Sequence, residues 1–134
     1  NLKIKSAIKS GLKIIFCIGE TLKERRQKKT NQILKKQIEK GLKSIKNKSK
    51  IIIAYEPVWS IGTGVIPKEA DLNKTISFIK SRFVKKYPKI LYGGSVNTNN
   101  VSILKKIPSI DGFLIGGASQ NPKKFIDIIK KTIN

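Results

Sequence analysis

The feature that most constrains this chain is the run Ile51-Ile52-Ile53-Ala54-Tyr55, which no charged side chain interrupts. A strand that is apolar at every position needs cover on both faces. That is the state of a central strand in a parallel sheet, not of a half-exposed hairpin. The run stops at one carboxylate, Glu56, and Pro57 then removes a ladder donor. A glycine-bearing loop follows, Ser60-Ile61-Gly62-Thr63-Gly64. A lone acid at the carboxyl end of a buried parallel strand, beside such a loop, is where closed α/β folds place catalysis. A salt-bridged strand-end glutamate beside an ordinary turn accounts for the same spacing, since paired acids are often only structural.

The rest of the chain repeats the theme of strand then helix. Residues Leu2 to Ser10 read as the closing turns of a helix stopped by Gly11. Lys13 to Ile18 reads as a buried strand closed by Gly19-Glu20. Thr21 is expected to cap a short helix through Arg26, with Glu24 as its capping-box partner. Thr30 or Asn31 caps a longer helix to about Ile45, with Ile33, Leu34, Ile38, Leu42 and Ile45 as its apolar stripe. Gly41 sits inside that stripe. Beyond the Glu56 loop, Pro67 suits a first helical position, and Glu69 and Asp71 favour the dipole of the first turn. Leu72, Ile76, Ile79 and Phe83 give that helix its buried face, and Tyr87-Pro88 ends it. Lys89 to Tyr92 forms the third strand and leaves through Gly93-Gly94-Ser95. Asn97 to Ile107 reads as a helix with Val101, Leu104 and Ile107 inward. Ile110 to Ile115 forms the fourth strand and leaves through Gly116-Gly117. Asn121 caps and Pro122 starts the last helix, along which Phe125, Ile126 and Ile129 recur. Four strands joined by helix-length connections demand a parallel sheet. No Pro- or Ser-rich linker divides residues 1–134, so they read as one domain. This pattern does not separate half a barrel from a four-stranded doubly wound sheet.

Composition narrows the partners. Lysine and arginine number 29 against 8 acidic residues, a formal charge of +21. Such a field attracts nucleic acid or anionic membrane. Yet only Arg25, Arg26 and Arg82 are arginines, and bidentate readout favours arginine. The lysines are interleaved with isoleucine along helical stretches, as on solvated faces, so no specific nucleic-acid partner is expected. The same charge would speed encounter with a small phosphate dianion. No apolar run approaches the roughly 20 residues of a membrane span. Cys17, the single cysteine, reads as a small buried hydrophobe within an apolar strand. It excludes an intrachain disulfide, which suits a reducing cytoplasm. With no histidine and one cysteine, a zinc site of the usual kind is not expected.

Four stretches then combine. Tyr55-Glu56-Pro57-Val58-Trp59 with Ile61-Gly62-Thr63-Gly64 resembles the catalytic-loop signature of the triosephosphate isomerase family. Cys17-Ile18-Gly19-Glu20 precedes it, and Tyr92-Gly93-Gly94-Ser95-Val96 and Asp111-Gly112-Phe113-Leu114-Ile115-Gly116-Gly117-Ala118-Ser119 follow, in that family's order. The similarity covers nearly all of the chain and implies about half of a (β/α)8 barrel, its later four parallel strands with flanking helices. The first residue is Asn1 and there is no methionine, so an upstream part of the barrel is expected to lie outside this sequence.

What the resemblance implies about chemistry is specific. Glu56 would be the base, moving a proton between adjacent carbons of a triose phosphate through an enediol(ate). Gly62, Ser95, Gly116 and Gly117 would offer main-chain amides to the substrate phosphate. Glycine allows close approach of backbone to oxygen, and successive amides near a helix start favour an anion. Pro57-Val58-Trp59 looks like a hinge and Ile61 to Gly64 a lid. Glycolysis and gluconeogenesis, a homodimer when full length, no cofactor and no membrane association follow from the same resemblance. The departure is that the family's polarising histidine has no counterpart among these residues, and its anion-binding lysine belongs to a strand upstream. This chain is therefore expected to be inactive or poorly folded by itself. Two other readings stay open. One is another phosphate-binding barrel enzyme, such as an amino-acid-biosynthetic isomerase or lyase. The other is a basic, non-enzymatic remnant.

Overall fold

The computed structural model describes residues 1–83 and 88–133. Its elements run α1 (Leu2–Lys9), β1 (Ile14–Ile18), α2 (Leu22–Arg26), α3 (Thr30–Gly41), β2 (Ile51–Tyr55), α4 (Glu69–Ser81), β3 (Ile90–Tyr92), α5 (Val101–Leu104), β4 (Gly112–Phe113) and α6 (Pro122–Ile133). A 3-10 turn, Gly117–Gln120, lies between β4 and α6. The strands form one sheet in the order β1-β2-β3-β4, and every pair is parallel. In register, Ile18 lies beside Tyr55, Tyr55 beside Tyr92, and Tyr92 beside Phe113. All four carboxyl ends therefore finish at one rim.

Side-chain alternation divides the sheet into two faces. Ile53, Tyr55, Ile90 and Tyr92 are fully buried, together with Leu34 of α3 and Leu72, Ile76 and Ile79 of α4. These residues belong to one continuous apolar core. Phe16 explains Gly41: a Cβ there would run into the phenyl ring. The helix thus takes a poor helix former where its axis comes close to the sheet.

The other face is more open, and here one expectation is corrected. Cys17 is exposed, not buried, and Ile15 on the same face is 47% exposed. Among the described residues β1 pairs only with β2, so a fully apolar sequence does not become a fully covered strand.

Several boundaries also differ from the sequence reading. α3 begins at Thr30, with Lys29 as a cap that makes no side-chain hydrogen bond, and ends at Gly41. Leu42 and Ile45 still pack into the core beyond it. α4 ends at Ser81, and the expected stop at Tyr87 lies outside the described residues. The helix expected from Asn97 to Ile107 contracts to the four residues of α5. Asn97 Oδ1 accepts from the backbone N–H of Asn99 at 2.9 Å, and Asn100 Oδ1 from that of Asn97 at 2.9 Å. These local bonds offer the chain a turn in place of a helix. Pro108 then disfavours helical geometry at Ile107. The fourth strand is two residues long, not six. Of the apolar positions on α6, Ile128 is buried, while Phe125, Ile126 and Ile129 are exposed. The local signals that did not depend on tertiary cover hold closely. Thr21 and Glu24 form a complete capping box, and Asn121 Oδ1 accepts from Lys124 N–H at 3.1 Å.

Candidate active site

Glu56 leaves β2 at the rim, fixed by its own N–H donating to Ile18 O at 2.8 Å. Its side chain runs over glycine. A Cβ on Gly93 would lie 2.7 Å from Glu56 Cγ, and one on Gly19 would overlap the Glu56 carbonyl. Two flanking strands thus approach the acid with bare backbone. Cys17 comes next to it from β1. Partial burial first, then a hydrogen bond to Glu56 and the charge of that carboxylate, push the thiol up to about 11.

The segment that follows, Pro57-Val58-Trp59, is anchored by a residue for which sequence reasoning supplied no role. Glu20 is fully buried. Its carboxylate accepts from Tyr55 Oη at 3.1 Å and from Trp59 Nε1 at 3.0 Å, and its carbonyl accepts from Val58 N–H at 3.0 Å. Arg25 stands 3.6 Å from the same carboxylate and stacks 4.6 Å from the Trp59 ring centroid. Burial, then the charge of Glu20, push the Tyr55 hydroxyl well above the usual phenol range. The signal that could have singled out Glu20 is the one that singled out Glu56: a solitary acid just past the end of an apolar strand.

Beyond Trp59 the loop turns through two left-handed glycines, Gly62 (φ +71°) and Gly64 (φ +77°), a conformation that glycine adopts without steric cost. Ser95, after β3, holds a left-handed φ of +50° without being glycine. The side-chain amides of Asn97 and Asn100 stabilise it, donating to its carbonyl at 3.2 and 2.9 Å. Ser95 Oγ in turn accepts from Gly64 N–H at 3.0 Å and donates to Ser60 O, joining this loop to the rim. After β4, Gly116 and Gly117 enter the 3-10 turn, and Ser119 Oγ donates to Gly116 O at 2.7 Å.

Glu56, Gly62, Ser95, Gly116 and Gly117 all line one cleft of about 440 Å3. The sequence-predicted residues are therefore brought together at one rim, on the same end of the sheet. The N–H groups of Gly62, Ser95, Gly116 and Gly117 donate to no other described residue, which leaves them free to meet an oxyanion. Among the described residues no group of three His, Cys, Asp or Glu side chains could hold a metal ion. No described helix is long and apolar enough to cross a membrane.

A parallel strand–helix wall with Glu56 and four unbonded main-chain amides lining one cleft at its carboxyl rim defines an α/β protein whose cleft lies at the carboxyl ends of its strands. The sequence model of the family described as triosephosphate isomerase matches residues 1–132. The chain is 46% identical to the triosephosphate isomerase of Thermodesulfovibrio yellowstonii, over 97% of this chain and 55% of that protein. It is 46% identical to that of Mycoplasma mobile over 97% and 53%, and 41% identical to that of Candida albicans over 98% and 55%. The chain belongs to the triosephosphate isomerase family, and its four strands with flanking helices form about half of an α/β barrel. It spans about half the length of the curated relatives it matches.

Proposed function

We propose that this chain supplies the base, the lid and the phosphate cradle of an isomerase interconverting dihydroxyacetone phosphate and glyceraldehyde 3-phosphate. The observation that carries the reading is the single cleft shared by Glu56, Gly62, Ser95, Gly116 and Gly117 in a chain of this family. The phosphate would sit against the amides of the three loops, with Glu56 facing the two carbons that exchange a proton. The Glu56 carboxylate removes a proton from the carbon beside the carbonyl, and the electron pair becomes an enediolate. The hydroxyl proton passes from one enediolate oxygen to the other, and the same acid returns its proton to the neighbouring carbon, so one group serves both directions at carbon. Closure of Ile61 to Gly64 on the hinge Pro57-Val58-Trp59 would exclude water while the enediolate exists and oppose loss of its phosphate. Lids of this kind, for which this family is itself a standard example, complete the site only once shut.

The sequence contains no histidine, so the histidine that polarises the substrate carbonyl in this family would come from outside these residues, as would the family's anion-binding lysine. Removing one such group typically costs about 10²–10³ in turnover. The chain by itself is thus expected to show no isomerisation at ordinary enzyme rates. Joined to the upstream half-barrel of the Thermodesulfovibrio yellowstonii relative, it should gain activity, and Glu56→Gln should remove about 10²–10⁴ of that gain. A coupled assay with either triose phosphate measures both arms. Ordinary turnover by the isolated chain, or a complemented barrel indifferent to Glu56→Gln, would refute the assignment. A cytoplasmic glycolytic enzyme working as a homodimer is the setting this reading carries with it.

A further inference from the structure

We infer that the Ser60 hydroxyl is a latch that ties the two ends of the lid to β3 and biases the loop toward its shut arrangement. The inference rests on the reading of Ile61 to Gly64 as a lid, which Ser60 and Val65 flank, and adds a positioning residue to it. Ser60 is fully buried, whereas Ile61, Gly62, Thr63, Gly64 and Val65 just after it are exposed. Its hydroxyl donates to the carbonyl of Val65 at 2.5 Å and lies 3.3 Å from the hydroxyl of Tyr92.

Donor counting fixes the direction of this chain. A carbonyl only accepts, and a serine has one proton to give. That proton goes to Val65, so Tyr92 donates to Ser60. The result is a relay from the end of β3, through Ser60 at the upstream end of the lid, to Val65 at its downstream end. Main-chain bonds converge on the same residue. Ser60 N–H donates to Pro57 O at 2.8 Å, and Ser60 O accepts from the hydroxyls of Thr63, at 3.1 Å, and Ser95. Gly94 confirms how closely the relay is packed, since a Cβ there would overlap both the Tyr92 and Ser60 hydroxyls.

Opening the lid carries Val65 O away from Ser60 and interrupts the relay in a buried place, where an unmade bond is costly. Ser60→Ala should therefore shift the loop toward open states about three- to tenfold, the worth of one hydrogen bond. The test is residue-resolved hydrogen exchange on the 134-residue chain. Gly64 N–H, bonded to Ser95 Oγ, and Val65 N–H, 3.2 Å from Thr63 Oγ1, report the lid. Ile53 N–H, bonded to Lys89 O at 3.0 Å, reports the sheet. The expected result is exchange at Gly64 and Val65 accelerated three- to tenfold with Ile53 unchanged, together with altered emission of Trp59, the only tryptophan. Lid exchange unaltered by the substitution, or Ile53 accelerated equally, would overturn the latch. Should Ser60→Ala fail to fold, the unaltered chain joined to the upstream half-barrel decides the matter: Gly64 and Val65 exchanging as fast as an unstructured peptide while Ile53 stays protected would also refute it. None of these readouts involves turnover, so a failed latch leaves the isomerase reading intact, and a failed isomerase reading leaves the latch.

Discussion

At the residue scale, the pairing of Cys17 with Glu56 makes a measurable claim. An ordinary thiol here would titrate near 9, and Cys17 is pushed up to about 11. The folded protein therefore keeps this proton after the unfolded chain has lost it. The associated stability is complete below pH 9 and declines as pH rises toward 11. Alkylation depends on the thiolate, so Cys17 should react slowly at pH 8 despite its exposure, with a rate midpoint near pH 11. Glu56→Gln should lower that midpoint by removing the charge and the carboxylate acceptor. It should stay above 9, because burial, the largest cause, remains. Rates with iodoacetamide from pH 7 to 12 check this, and a midpoint at 9 in the unaltered chain would refute it. Glu56 itself was legible in sequence, since an acid ending a fully apolar run stands out. The exposure of Cys17 was not, because apolar periodicity reports what a strand can bury and not which neighbour covers it.

At the element scale, local chemistry proved more readable than length. The capping box of α2 and the Asn121 cap of α6 depend on residues three apart and were foreseen. The short α5 and β4 were overestimated, because the Asn97 and Asn100 side chains and Pro108 compete with the helix and because β4 is an edge. Gly41 shows tertiary packing overriding propensity. In an unconstrained helix interior, Gly→Ala would stabilise by about 1 kcal/mol. Here the new methyl would overlap the Phe16 ring, and overpacking typically costs about 1–3 kcal/mol. Gly41→Ala should therefore destabilise the chain on balance. Urea titration followed through Trp59 emission is the measurement, and a raised midpoint would show that the ring moves aside freely. Glu20 is the element-scale lesson missed in sequence. Its partners Tyr55 and Trp59 lie 35 and 39 residues further along the chain, so no local spacing rule relates them to it.

At the scale of the whole molecule, two properties oppose each other. The sheet leaves Ile15 and Cys17 on an open face, and α6 exposes Ile126 and Ile133, surfaces that favour association. The formal charge of +21 resists it through mutual repulsion. Salt shortens the screening length from about 10 Å at 0.1 M to about 3 Å at 1 M. Added sodium chloride should thus promote self-association of the chain, not disperse it. Light scattering from 0.05 to 1 M salt tests this, and scattering that falls with salt would mean that charge pairing, not apolar contact, holds copies together. The parallel sheet was legible from the alternation of strand and helix, while the half-barrel needed the four family motifs, because four strands fit either architecture.

Gly19, Gly93 and Gly94 carry one more consequence. The seat of the acid and of the Tyr92 hydroxyl is shaped by bare main chain, and natural side chains offer nothing smaller with which to widen it. Substitution can therefore redecorate the mouth of the cleft but not enlarge its floor, and whatever the cleft holds must fit the space those glycines leave.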